Sequence, residues 1–203
     1  MTATLDQTGC FSAQTPGEGC IDTYCGVMFP VTAPEPSHIR IRDIGHALSN
    51  VCRFGGHCRS FYSVAQHSVH VMDFLRRAYE CPEIEICGLL HDGSEAYLAD
   101  ICRPVKPFLT NYAALEAALQ AAIWNRYGLA EAAAKWYPKI KWADNAVLRA
   151  EAESLIPSRA AGWNWGTVEA AEIEIEPWEP RRAEVEFEDA FLRLANELNI
   201  DAR

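Results

Sequence analysis

Apolar residues recur three and four positions apart over most of this chain, which is the spacing of helix faces packed on a common core. From Ile39, the stretch IRIRDIGHALSNVCRF sets Ile41, Ile44, Ala47 and Leu48 on one face, and CRFGGHCRSFY follows as a loop broken by Gly55 and Gly56. In SVAQHSVHVMDFLRRAYE, Ser63 followed by Gln66 has the form of a capping box, and Val64, His67, Val71, Phe74 and Leu75 share a face. Pro82 opens a further helix whose Ile84, Ile86, Cys87, Leu89 and Leu90 mark it as mostly buried. TNYAALEAALQAAIWNRYG is alanine-rich and stops at Gly128, while PKIKWADNAVLRAEAESLIP is bracketed by prolines; both read as helices. The alternation in VEAAEIEIEPW predicts a strand, and AEVEFEDAFLRLANEL closes the chain as an amphipathic helix. Residues 1–37 carry Gly, Thr, Ser and Pro at short intervals and read as an arm or short hairpin. The expected fold class is mainly α, a bundle of about six helices with small β additions near the termini. Residues 1–37 form the arm, 38–157 the core, and 158–203 a strand and helix that pack on it.

Charge and cysteine content narrow the function. A net charge of -10 over 203 residues excludes a protein that coats nucleic acid or an anionic membrane, because those partners reward clustered Lys and Arg. No apolar run reaches the ~18 residues of a membrane span, and the first thirty residues lack the basic start and apolar block of an export signal. The expected location is the cytoplasm, the host's if the chain is phage-encoded. Eight cysteines without a CxxC pair in a chain of this size read as reduced, small hydrophobes.

His38, His46, His57 and His70 read as ordinary core or surface histidines. His91 differs, because it stands beside Asp92 at the end of the buried segment GLLHDGSEAYLAD, where an unpaired carboxylate costs several kcal/mol unless a cation or donors meet it. His67 sits one turn into its helix on the inward face, and Asp144 lies between Ile140 and Val147 on the inward stripe of a later one. Together His67, His91, Asp92 and Asp144 make a candidate metal set of the kind built inside helical bundles. Nitrogen and carboxylate ligands suit a divalent ion such as Mn, Co, Zn or Mg. Glu95, three residues after Asp92, falls on the same side of a continuing turn without being needed as a ligand. Arg53 offers a fork of donors suited to phosphate oxygens, and Lys106 and Lys141 are the other cations expected nearby.

The order H…HD…D resembles the HD superfamily of metal-dependent phosphohydrolases. CRFGGHCRSFYSVAQHS and LLHDGSEAYLADICRPVKP are similar to the corresponding blocks of its bacterial 5′-deoxynucleotidases and of phage dATP triphosphohydrolases, over residues 38 to 157. The resemblance implies an HD-domain bundle, a homo-oligomer, and a small-molecule deoxynucleotide substrate attacked at the phosphorus next to the sugar. It makes Glu95 the general acid/base alongside the catalytic ligand Asp92, and Asp100 the acceptor of a deoxyribose hydroxyl. Phe54 stands where those nucleotidases commonly carry Trp, so selection for deoxyribose by a ring on the sugar face is retained in weaker form. Arg53, Lys106 and Lys141, with Arg59 and Arg103 close in sequence, point to a deoxynucleoside triphosphate such as dATP, releasing triphosphate. The alternatives are a 5′-deoxynucleotidase acting on monophosphates, or a catalytically silent nucleotide-binding module.

Overall fold

In a computed structural model, residues 19–202 are described; residues 1–18, most of the expected arm and with them Cys10, and Arg203 lie outside the described residues. What is described of the arm is a hairpin. Strands β1 (Cys20–Asp22) and β2 (Met28–Pro30) pair antiparallel with Ile21 opposite Phe29. Gly26, at φ +74°, closes the turn in a backbone region that costs glycine nothing. Phe29 is fully buried and stacks on Tyr97, ring centroids 4.1 Å apart, which ties the hairpin to the helices.

The rest is a helical bundle: α1 (Ile41–Asn50), α2 (Val64–Tyr79), α3 (Pro82–Leu89), the single turn α4 (Glu95–Leu98), α5 (Tyr112–Arg126), α6 (Ala130–Leu155) and α7 (Pro180–Leu198). Helix α3 is buried from Ile84 to Leu89 on every side, including Glu85, and α2, α6 and α7 pack around it. An all-round apolar helix must be central, because no face of it profits from water. Gly88 permits the close approach of α2: a methyl there would meet Leu75 Cδ1 at 2.5 Å. Helix α7 closes the bundle by laying Ala183, Phe187, Phe191, Leu194 and Ala195 on α1, α2 and α3.

Three local expectations change. Helix α6 begins at Ala130, ahead of the proline expected to start it, and runs through Pro138. The alanine-rich AEAAAKWY segment favours helix, and the carbonyl that Pro138 cannot serve belongs to Ala134, which is exposed to water. Residues 168–178 form no strand among the described residues but an irregular segment, because no neighbouring strand is there to pair with. The Gln66 side chain takes a strand's place: its Nε2 donates to the Glu176 carbonyl at 2.7 Å and its Oε1 accepts from Trp178 N–H at 2.9 Å. That use of Gln66 leaves the capping box half closed. Ser63 Oγ accepts the Gln66 N–H at 3.1 Å, but the amide does not reach back.

Candidate metal centre

Three segments deliver the site. His67 comes from the second turn of α2, His91 and Asp92 from the turn between α3 and α4, and Asp144 from the middle of α6. One candidate ligand atom from each of these four side chains lies within 4.8 Å of the others. His67 Nε2 is 3.3 Å from Asp144 Oδ1 and 3.7 Å from Asp92 Oδ2; His91 Nε2 is 3.2 Å from Asp92 Oδ2 and 3.8 Å from Asp144 Oδ1.

The outer nitrogens fix which atoms point inward. His91 Nδ1 donates to the Gly88 carbonyl at 2.8 Å, and His67 Nδ1 donates to Glu151 Oε1 at 2.8 Å. Each ring therefore turns Nε2, its lone-pair nitrogen when neutral, toward the shared centre. Both Nε2 atoms are buried and have no hydrogen-bond partner. Buried polar atoms are almost always satisfied, so two orphans facing two carboxylates describe a place built for a cation. The same demand shows in the protonation of the group. Burial opposes the charged form of His91, yet Asp92 and Asp144 lift its pKa to about 10. Burial likewise resists ionisation of Asp92 and Asp144, and the imidazoles overcome it, holding both well below the ordinary carboxylate range.

Glu151 is a member that reading the sequence for ligands passes over. It is fully buried two turns beyond Asp144 on α6, and its Oε2 accepts from Arg53 Nε at 3.1 Å while Oε1 holds His67. An acid seven residues after Asp144, between the buried Ala150 and Ala152, was the available signal. Gln120 was missed too; it accepts from Ser94 N–H at 3.1 Å and donates to the Leu90 carbonyl at 2.9 Å, pinning the turn that carries His91 and Asp92.

Arg53 is buried, with Nη1 3.8 Å from Asp92 Oδ2; burial opposes its charge, but Glu151, Asp100, Asp92 and Glu95 more than offset that. Phe54 follows at φ +57°, a left-handed conformation rare for an aromatic residue, and its ring lies 5.5 Å from the Arg53 guanidinium and 6.5 Å from the ring of Trp163. Asp100 is half-buried, close enough to act on both Arg53 and Glu95. Burial first, then the Asp92 and Asp100 carboxylates, push Glu95 well above the usual glutamate value, and its Oε2 has no partner.

Both lysines are engaged. Lys106 Nζ donates to Glu116 Oε1 at 2.6 Å and lies 3.5 Å from Glu95 Oε1. Lys141 Nζ pairs with Asp144 Oδ2, which Arg103 Nη2 also approaches at 3.4 Å. The seven described cysteines are all free thiols, with Cys52 Sγ and Cys58 Sγ 3.6 Å apart on either side of Arg53. No helix among the described residues is long and apolar enough to cross a membrane.

No family model matches the chain. Over 135 residues it is 36% identical to the uncharacterized protein YfdR of Escherichia coli (strain K12), a match covering 66% of this chain and 71% of that protein. It is 38% identical over 130 residues to an uncharacterized protein of Rhodobacter capsulatus, covering 60% of this chain and 65% of that relative.

Proposed function

We propose, from the premise that this chain belongs to the same family as YfdR of Escherichia coli, that it is a divalent-metal-dependent phosphohydrolase of the HD type. Its substrate in this reading is a deoxynucleotide, attacked at the phosphorus next to the sugar. One observation carries the proposal: two buried, partnerless imidazole nitrogens, His67 Nε2 and His91 Nε2, face the carboxylates of Asp92 and Asp144. Two nitrogen and two carboxylate donors fit a borderline or hard divalent ion such as Mn, Co, Zn or Mg, held by those four residues. Bound there, such an ion lowers the pKa of water and polarises a phosphoryl oxygen.

The chain's own residues supply the rest. Arg53, kept charged and immobile by Glu151, presents its remaining donors to the phosphoryl oxygens. Glu95 stays protonated more readily than a solvated acid, and its Oε2 is the atom that exchanges a proton with the attacking water or the departing ester oxygen. Asp100 accepts a hydroxyl of the sugar, and Phe54 lies against the sugar's face.

Two versions differ in what hangs beyond the phosphorus. A triphosphate needs uncommitted cations, and those counted from the sequence are all engaged. Arg53 pairs with Glu151, Lys106 with Glu116, Lys141 and Arg103 with Asp144, and Arg59 donates to the Pro157 carbonyl at 3.0 Å. This pairing favours a 5′-deoxynucleotidase acting on monophosphates, and places the dATP-type triphosphohydrolase second. The deciding experiment incubates the purified protein with each deoxynucleoside mono- and triphosphate in Mn, Co or Mg and identifies the products. Orthophosphate with deoxynucleoside from monophosphates is the expected result. Pyrophosphate as a product, turnover that survives a chelator, or an active Asp92→Ala variant refutes it.

A further inference from the structure

A cavity of about 720 Å³ opens beside His91 and Asp92, and Arg53, Phe54 and Asp100 do not line it. Its walls are two helix faces. On α5 they include Ala113, Ala117 and Ala121, one turn apart, and on α6 Ala130, Ala133 and Ala134. Methyl groups cannot fill the gap between two helices, so a cleft remains, and Trp124, Tyr137 and Ile140 supply its larger surfaces. The cations at its rim are Lys106, paired with Glu116, and Lys141, paired with Asp144. Past that rim the lining carries no positive charge. The cleft is not an empty stripe of small residues, since the His91 side chain, 6% exposed, lines its inner end together with Asp92.

A phosphate seated at the His–Asp group thus has two surroundings. In the proposed function its sugar-bearing side meets Arg53, Phe54 and Asp100, none of which lines the cleft, and a second arm entering the cleft meets alanines, Trp124, Tyr137 and Ile140, with Ser94, Gln120 and Asn125 as uncharged polar neighbours. Further phosphates would arrive there with several negative charges and lose hydration without gaining cations. A flat apolar ring would exchange water for the indole and phenol surfaces instead. The geometry points to the α5–α6 cleft as a subsite for an aromatic group esterified to the reacting phosphate, with Ala121 and Trp124 setting how large that group can be. The substrate class this adds is phosphodiesters with one aromatic arm. Their hydrolysis forms a bond from a water oxygen to phosphorus, breaks one phosphorus–ester bond and leaves the proton on the departing oxygen, with no co-reactant. This inference rests on the phosphohydrolase reading for its chemistry, but not for its binding.

The test has a binding arm and a turnover arm, both on the full chain in Mn²⁺. Calorimetry compares phenylphosphonate with methylphosphonate; the wild type should bind the phenyl compound at least about tenfold more tightly, or 1.4 kcal/mol. Ala121→Trp, and separately Ala117→Leu, should erase most of that preference; both positions are exposed, so neither change disturbs the core. In turnover, the kcat/KM for the p-nitrophenyl ester of thymidine monophosphate divided by that for thymidine monophosphate should fall about tenfold in Ala121→Trp. Equal affinity for the two phosphonates, an unchanged ratio, or a variant that shifts the sedimentation coefficient instead, which assigns the cleft to a second copy of the chain, overturns the inference. A protein that prefers the phenyl compound but hydrolyses no nucleotide keeps the cleft and sinks the phosphohydrolase reading. One that hydrolyses thymidine monophosphate without any phenyl preference does the reverse.

Discussion

Replacing Glu151 by glutamine should unsettle both the fold and the centre, because this one carboxylate holds a buried guanidinium and orients a buried imidazole. Its two oxygens accept from His67 Nδ1 at 2.8 Å and from Arg53 Nε at 3.1 Å, with all three side chains out of water. Burial alone would protonate it, but Arg53 and His67 hold its pKa below the ordinary glutamate value, so it acts as an anion. Glutamine keeps one accepting oxygen and replaces the other with a donor, leaving His67 Nδ1 or Arg53 Nε facing an NH₂ group. Breaking a buried ion pair by removing one partner costs about 3–5 kcal/mol. Asp92, 3.8 Å from Arg53 Nη1, still answers part of the guanidinium charge, so the lower end, about 3 kcal/mol, is expected. For a chain of this length that is a fall of about 6–12 °C in Tm. A freed His67 ring should also weaken metal binding by about ten- to a hundredfold, the usual cost of losing an outer partner of a ligating histidine. Urea denaturation and Mn²⁺ titration by calorimetry read the two effects separately. A stability change under about 0.5 kcal/mol together with unaltered Mn²⁺ affinity would show that Glu151 neither pairs nor orients.

Asp92→Ala and Asp144→Asn should each abolish measurable Mn²⁺ binding and hydrolysis, while Glu95→Gln keeps Mn²⁺ affinity and loses turnover; loss of metal in the Glu95 variant would make it a ligand instead. Gln66→Ala removes both hydrogen bonds that hold the irregular segment, costing about 2 kcal/mol, and amide exchange over residues 173–178 should quicken while that of α3 does not. His70 lies against Tyr62 OH at 2.9 Å and Trp178, and burial lowers its pKa below 6.5, so the folded state prefers it neutral. The unfolded chain then binds more protons as pH drops below 6.5, and stability falls in that window. Melts from pH 8 to 5.5 should therefore drop further for the wild type than for His70→Gln, and parallel curves would contradict the assignment.

The helices were legible because their periodicity is the packing itself: Ile41, Ile44 and Leu48 are buried as their spacing requires, and so are Val64, His67, Val71 and Leu75. The four candidate ligands were legible for the same reason, since a polar residue on an apolar face advertises a partner. What local reading could not supply was the identity of partners far along the chain. The alternation of residues 168–178 predicts a strand, but a strand needs a neighbour, and here a glutamine side chain more than a hundred residues away supplies hydrogen bonds instead. Pro138 misled because its cost depends on whether the carbonyl it abandons meets water, which is a fact about the surface and not the sequence. The charge left for a ligand is not legible locally either, since it depends on the reach of Lys106 to Glu116 and of Lys141 to Asp144.

That charge count bears on the metal itself. Around the centre stand the carboxyls of Asp92, Glu95, Asp100, Glu116, Asp144 and Glu151 and the cations Arg53, Arg103, Lys106 and Lys141. If every carboxyl ionised and both imidazoles were neutral, as ligands to a metal must be, the site would be short of two positive charges and would repel a phosphate at close range. A divalent ion restores the balance, and the upward shift of Glu95, which keeps a proton on one of the six, tips the site positive. The centre thus holds an anion more tightly once it has bound a cation. Phosphate affinity measured by calorimetry should accordingly be undetectable in chelator and appear with Mn²⁺. Phosphate binding of equal strength in both conditions would mean that the arginine and lysines suffice by themselves.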